Sequence, residues 1–310
     1  MSRRVLVTGA SGFIGRQALA PLVERGFDVH AAGRASCAPA GTPAGIAWHS
    51  ADLLDARARG ELVESVRASD LLHLAWYGEP GAFWAARENV LWVAATVALV
   101  DEFVRSGGRR ATLAGTCAEY DWTAPQPLAE DAPLAPASFY GVCKDATRRV
   151  AEGLAERAGI ELAWGRIFFL FGPQEDERRL VASVARALVA GERAPTSAGT
   201  QRRDFLHVDD VAGAFVALLD SEVAGAVNIA SGESVAVRSI IEQLAQAAGR
   251  LDLLDLGAVP QRPGDPDEIA ADVTRLREEV GFVPARSLAD GLAGVVRWWV
   301  QRDRLSREPR

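Results

Sequence analysis

The sequence predicts an α/β fold, a doubly wound parallel sheet with a smaller C-terminal lobe interleaved with it, and three observations carry that expectation. Apolar runs of strand length recur at Arg4 to Thr8, Val29 to Ala32, Leu71 to Ala75, Ala111 to Ala114 and Leu162 to Phe168. They lack the alternation of a half-exposed strand, as strands do when both faces of a parallel sheet are covered. Helical stretches separate them, the rhythm of βαβ units. The first run also opens into Thr8-Gly9-Ala10-Ser11-Gly12-Phe13-Ile14-Gly15 ahead of a helix that lasts to about Gly26. Strand, glycine turn and helix in that order form a phosphate cradle, because the backbone turns tightly and helix N-terminal amides point at the anion.

In chain order, residues 1-170 read as the NAD(P)-binding Rossmann domain that these strands and helices build. Within it, Phe83 to Val104 is apolar nearly all round a long helix, so that helix must bury two sides. A subunit contact is expected there as well as the sheet. Beyond about residue 170 the alternation loosens. Pro and Gly gather in Phe171-Gly172-Pro173, in 191–199 and in 259–266, with helices expected over Val235 to Ala248 and Ser287 to Gln301. Residues 171-310 thus read as a substrate lobe, with parts near 203-230 returning to the Rossmann sheet. The last residues, Arg302 to Arg310, read as a fraying tail.

Composition excludes several classes. With 49% hydrophobic and 24% charged residues over 310 positions, the chain has the make-up of an ordinary soluble globule. No run approaches the roughly 20 apolar residues of a membrane span, and Met1-Ser2-Arg3-Arg4 leads into a strand rather than a signal peptide, so no membrane partner and a cytoplasmic location are expected. Three cysteines (Cys37, Cys117, Cys143) make no paired framework, and four scattered histidines (His30, His49, His73, His207) make no metal spacing. A net charge of -7 argues against a nucleic-acid partner.

The candidate cofactor residues follow from the turn. Its spacing is Gly-x-x-Gly-x-x-Gly over Gly9, Gly12 and Gly15, with Ser11, Phe13 and Ile14 between them. The second strand ends in Gly33-Arg34 with no acid to take a ribose 2′-hydroxyl, and an arginine there suits a 2′-phosphate. NADP is favoured over NAD.

Of 34 basic side chains only Lys144 is a lysine, and it stands four residues after Tyr140. One helical turn puts both on one face. A compact ammonium beside a phenol stabilises the phenolate and makes Tyr140 a usable acid or base, which the larger arginine fork does less readily.

With these motifs in hand, the chain resembles an extended short-chain dehydrogenase/reductase of the NAD-dependent epimerase/dehydratase type over essentially its whole length. The matching segments are the glycine turn, Asp52-Leu53, His73-Leu74-Ala75, Asn89, Tyr140 with Lys144, Arg203 to Ala212, Asn228 to Gly232 and Arg262-Pro263-Gly264-Asp265. The resemblance implies that Asp52 and Leu53 meet the adenine, that Leu74 and Ala75 border the cofactor, and that Thr116 completes a triad with Tyr140 and Lys144 by polarising the substrate oxygen. It implies that Arg203 and Arg262 clamp a nucleotide diphosphate, with ion pairs to Asp204 or Asp265 the plainer alternative. A homodimer is implied too.

Two departures narrow the chemistry. Members that dehydrate a hexose carry an Asp-Glu pair directly after the threonine, and here Cys117 and Ala118 stand there. Cys117 reads better as a buried filler than as a proton donor. Phe169 stands where the resemblance implies a sugar-binding asparagine. Trp76, Tyr77 and Trp122 are further candidates to line the pocket, although aromatic residues at loop starts also simply pack. His207, Asp209 and Asp210 read as a strand-to-helix junction capped by the aspartates rather than a metal site. The leading reading is an NADP-dependent reductase of a nucleotide-linked 4-keto-6-deoxyhexose. A nucleotide-sugar 4-epimerase is the alternative, and a non-catalytic dinucleotide sensor is the reading from another class.

Overall fold

The computed structural model describes residues 3–261 and 263–307. Seven parallel strands form the main sheet: β1 (Arg4–Thr8), β2 (Asp28–Gly33), β3 (Ala47–Ser50), β4 (Asp70–His73), β5 (Arg110–Thr116), β6 (Glu161–Ile167) and β10 (Gly225–Ile229), in the order β10-β6-β5-β4-β1-β2-β3. Between β1 and β4 the order of winding reverses, and the crevice beyond the carboxyl ends of those two strands is where a doubly wound sheet binds its ligand.

Both faces of the sheet are buried, and each strand divides its side chains between them. Val5, Val7 and Val29 join a core with Leu19 and Leu22 of α1 (Gly15–Glu24) and Phe215 and Leu218 of α6 (Val208–Asp220). On the opposite face Leu6, Leu71 and Leu113 meet Leu62 of α2 (Ala56–Val66), Leu99 and Phe103 of α3 (Glu88–Arg105), and Ala151 of α4 (Phe139–Ala158). Each buried Leu or Val contributes about 1.5–3 kcal/mol, so the two layers fix the sheet between them.

The second lobe has its own core, in which α5 (Leu180–Ala190), α7 (Val237–Ala248) and α9 (Leu288–Arg307) pack together. Its small sheet centres on β9 (Arg202–His207), flanked by β7 (Phe169–Phe171), β11 (Ser234–Ala236) and β13 (Glu268–Ile269). Two short strands, β8 (Ala194–Thr196) and β12 (Leu254–Leu256), pair apart from both sheets, and a short helix α8 (Thr274–Glu278) follows β13. Of the stretch 203–230, β10 adds to the edge of the main sheet beside β6, while β9 belongs to the small one.

Helix α3 begins at Glu88, five residues later than its apolar pattern suggests. The buried Asn89 side chain donates to the carbonyls of Phe83 (2.7 Å) and Ala86 (2.9 Å), which folds 83–87 into turns. Phe83 and Trp84 are thereby freed from a helix face to pack on Tyr140.

Candidate active site

The glycine turn closes tightly over the end of β4. Gly9 has φ +70°, and a Cβ there would lie 2.7 Å from the Ala75 amide nitrogen and 2.8 Å from the Leu74 carbonyl carbon. At Gly15 a Cβ would lie 2.1 Å from the Gly9 oxygen, so only glycine serves at either place. The amides of Phe13 and Ile14 meet no backbone acceptor among the described residues, and α1 starts without a side-chain cap. Free amides at a helix N-terminus are what a pyrophosphate requires, so the residues present fit a dinucleotide.

Along the crevice, the Ser11 hydroxyl and the Trp48 indole both close on Gly33, where a Cβ would lie 3.3 Å and 2.8 Å from them. Arg34 follows, exposed, with no hydrogen bond or ion pair among the described residues. Asp52 and Leu53 follow β3, and the Asp52 carboxylate accepts the Leu54 amide at 3.0 Å. Leu74 and Ala75 lie against the turn itself.

Thr116 ends β5 and Tyr140 begins α4, where Ser138 caps the helix by accepting the Gly141 amide at 3.0 Å. The Thr116 hydroxyl accepts from the Ala118 amide at 3.2 Å, and its influence on the Tyr140 phenol favours the phenolate. A Cβ on Gly141 would lie 2.3 Å from the Ala118 carbonyl oxygen, so α4 approaches the turn as closely as the chain allows. The three predicted catalytic residues therefore sit at one junction, β5 against α4.

Their electrostatics differ from the simplest expectation. Burial pushes the Tyr140 phenol above its ordinary value, while the Thr116 hydrogen bond and the Arg179 charge draw it back. Lys144 is turned aside: its Nζ donates to the Ala114 carbonyl at 2.8 Å and lies 3.9 Å from the Trp76 ring centroid. Burial draws the ammonium down to about 7. Beside it His73 is locked between the Thr8 and Thr96 hydroxyls (2.6 and 2.9 Å) and held down to about 3, chiefly by burial and then by the Lys144 charge, so it stays neutral.

Behind Thr116 lies a buried polar network that no motif singled out. The Glu119 carboxylate accepts from the Thr116 amide (2.9 Å), the Trp164 indole (2.9 Å) and Arg166 Nε (2.9 Å). Arg166 also donates to the Tyr120 hydroxyl at 2.8 Å, which donates in turn to Asn228 Oδ1 at 2.7 Å. This web ties β5, β6 and β10 together directly beneath the threonine. The spacing Thr116-x-x-Glu119 is a capping box, and that signal was available in the sequence.

On the substrate side the rings of Phe83 and Trp84 stand edge-on to Tyr140, with centroids 4.9 and 5.9 Å away, and Trp122 stands edge-on to Trp84. Arg179 lies over Phe83 at 5.4 Å. Phe169 packs against Phe205 and lies beneath Arg203, whose guanidinium pairs with Asp265 at 2.6 Å. Arg262 falls outside the described residues. The Cys117 thiol is buried and pushed up to about 12, first by burial and then by Glu119, which suits a neutral filler. At the β9–α6 junction His207, not an aspartate, caps the helix by accepting the Asp209 amide. Asp210 accepts the amides of Ala285 and Arg286, and among the described residues no cluster fit for a metal appears.

The sheet order, glycine turn and Thr116–Tyr140–Lys144 junction define a nicotinamide-dinucleotide enzyme of the short-chain dehydrogenase/reductase class. Within that class the chain belongs to the NAD dependent epimerase/dehydratase family, whose match spans residues 5–230. It is 29% identical to a UDP-glucose 4-epimerase of Azospirillum brasilense, over 96% of this chain and 92% of that one. It is 30% identical to a dTDP-glucose 4,6-dehydratase of Streptomyces griseus, over 96% and 94%. Among solved structures, MoeE5 in complex with UDP-glucuronic acid and NAD superposes with a TM-score of 0.83 at 30% identity, covering 97% of this chain and 99% of that one. No helix among the described residues is long and apolar enough to cross a membrane.

Proposed function

We propose that this enzyme is an NADP-dependent reductase of a nucleotide-linked 4-keto-6-deoxyhexose. One observation supports the reading: Thr116, Tyr140 and Lys144 lie together where β5 meets α4, yet the two positions after Thr116 hold a neutral thiol and a methyl group. Elimination of water needs an acid and a base there, so redox at an oxygenated carbon is the chemistry left. When bound, NADPH supplies the hydride. Arg34, exposed and without a partner among the described residues, would take the 2′-phosphate, and the Phe13 and Ile14 amides the pyrophosphate. Thr116 orients the sugar carbonyl oxygen through its hydroxyl. Tyr140 gives that oxygen a proton, and Lys144, seated between the Ala114 carbonyl and Trp76, would hold the cofactor ribose. Arg203 presents its fork to the diphosphate if the Asp265 pair opens, and Arg262 is assigned the same duty. The apolar wall of Phe83, Trp84, Trp122 and Phe169 excludes water.

The likeness to a UDP-glucose 4-epimerase over 96% of the chain favours a second reading, oxidation and re-reduction at the same carbon. A non-catalytic sensor would not need Thr116, Tyr140 and Lys144 at one junction. Exposed Val90 and Leu91 on α3 and Val142 and Val150 on α4 supply an apolar surface for the homodimer this reading includes. The test is to incubate the protein with NADPH or NADH and a panel of UDP-, dTDP- and GDP-linked 4-keto-6-deoxyhexoses. Stoichiometric loss of NADPH supports the reductase. Interconversion of UDP-glucose and UDP-galactose without net cofactor change assigns the epimerase instead.

A further inference from the structure

Lys144 is an ammonium without an acidic partner. Its side chain is 4% exposed, and no carboxylate stands within ion-pair distance among the described residues. The charged and titratable groups that face it are few. His73 on β4 is neutral, and Glu119 after β5 is engaged by Arg166 and the Trp164 indole. What meets the charge directly is the Ala114 carbonyl and the face of Trp76.

Trp76 is itself held rigidly. Its Nε1 donates to Asn89 Oδ1 at 2.8 Å, and the Asn89 amide, fully buried, spends its own N–H groups on Phe83 and Ala86. The indole therefore cannot turn away without leaving the buried Asn89 Oδ1 without this donor. A ring face carries negative potential, and a cation centred on it inside a protein is attracted more strongly than at a wet surface.

We propose that Trp76 is a positioning residue for Lys144: its indole face, pinned by Asn89, supplies the counter-charge that keeps the ammonium at the end of β5. One N–H goes to Ala114 and the others remain for a ligand. The proposed function gives this charge its use, but the contact and its test do not depend on turnover. Burial lowers Lys144, the Glu119 charge opposes that loss, and the ring adds to the opposition. Removing the π face lowers the midpoint of Lys144 by about one pH unit, a tenfold change in the ratio of ammonium to amine.

The single lysine makes the experiment direct, since lysine labelled with 13C and 15N gives one side-chain signal in the whole chain. In the cofactor-free protein, the Lys144 side-chain protons should lie upfield of free lysine by several tenths of a ppm, because they sit over the ring; free-lysine shifts overturn the proposal without any variant. The titration midpoint is then compared in the native protein, Trp76→Phe and Trp76→Leu. A drop of about one unit in Trp76→Leu, with Trp76→Phe recovering most of it, supports the π-face role. An unchanged midpoint in Trp76→Leu, or an equal drop in Trp76→Phe, overturns it. Failure of every ketosugar in the NADPH assay would leave these shifts untouched, so the two ideas fail separately.

Discussion

Replacing Glu175 by glutamine should shift stability progressively in the variant's favour as pH rises from about 5 to about 8, from a small deficit to a net gain. Glu175 lies in the loop between β7 and α5, only 9% exposed, with Oε2 bonded to nothing among the described residues. Burial pushes its carboxyl from 4.5 up to about 8, against the pull of the Arg179 charge and the Ala182 amide. The folded chain therefore keeps a proton that the unfolded chain has released. For an acid raised in the folded state, stability is intact below the unfolded value and is lost as pH climbs towards the folded one. The loss runs at about 1.4 kcal/mol per pH unit, at most about 5 kcal/mol across the window. A glutamine leaves an amide imperfectly paired, at about 1–3 kcal/mol, but that cost does not vary with pH. Melting curves of both proteins at half-unit steps from pH 5 to 9 separate the two effects. The gap in Tm should move in favour of Glu175→Gln by about 2 °C per unit and level off above about pH 8. A gap that stays flat over the whole range would falsify the buried, protonated carboxyl.

The other expectations concern the site. Tyr140→Phe should lower kcat/KM for the ketosugar by about 10²–10⁴-fold while the melting temperature holds, as removal of a general acid does. Lys144→Arg keeps the charge but forces a planar fork between Trp76 and the Ala114 carbonyl; steady-state assays should show at least a ~100-fold loss, and retained activity would remove the need for a lysine. Arg34→Ala should raise KM for NADPH by about tenfold or more and leave NADH unaffected; an equal effect on both cofactors would detach Arg34 from the 2′-phosphate. Leu91→Glu combined with Val142→Glu should convert a dimer to a monomer by light scattering, and an unchanged mass would place any subunit contact elsewhere.

Much of this is legible in the sequence because the determinants are local. The β1 run and the glycine turn lie within sixteen residues of the N-terminus, and Gly9 and Gly15 are forced by neighbours a few residues or one strand away. Strand β3 escaped notice because Ala47-Trp48-His49-Ser50 is a short, half-exposed edge with no apolar run. The apolar pattern overextends helix α3 because Phe83 and Trp84 continue it. Only the Asn89 contacts show that these rings leave the helix for Tyr140. The network under Thr116 joins residues about 110 apart in the chain, such as Tyr120 and Asn228, and hydrophobic periodicity carries no trace of such pairs. The sequence offers Arg203 as a diphosphate clamp or a partner of Asp204 or Asp265, and the structure pairs it with Asp265.

Direction of reaction is where the electrostatics argue most. Oxidation of an alcohol begins with a base that removes the hydroxyl proton, whereas reduction of a ketone ends with an acid that supplies one. Burial holds the Tyr140 proton on, and the nearest relief comes from the Thr116 hydroxyl and from Arg179 rather than from Lys144, which is drawn to Ala114 and Trp76. A phenol that keeps its proton at neutral pH is prepared to be the acid. An epimerase must run the same residue first as a base, which would require Lys144 to leave the indole and approach the phenol when sugar and cofactor are in place. The state of the lone lysine thus separates the two readings physically: an ammonium still seated on Trp76 in the ternary complex fits one-way reduction, and one shifted to Tyr140 fits the reversible cycle.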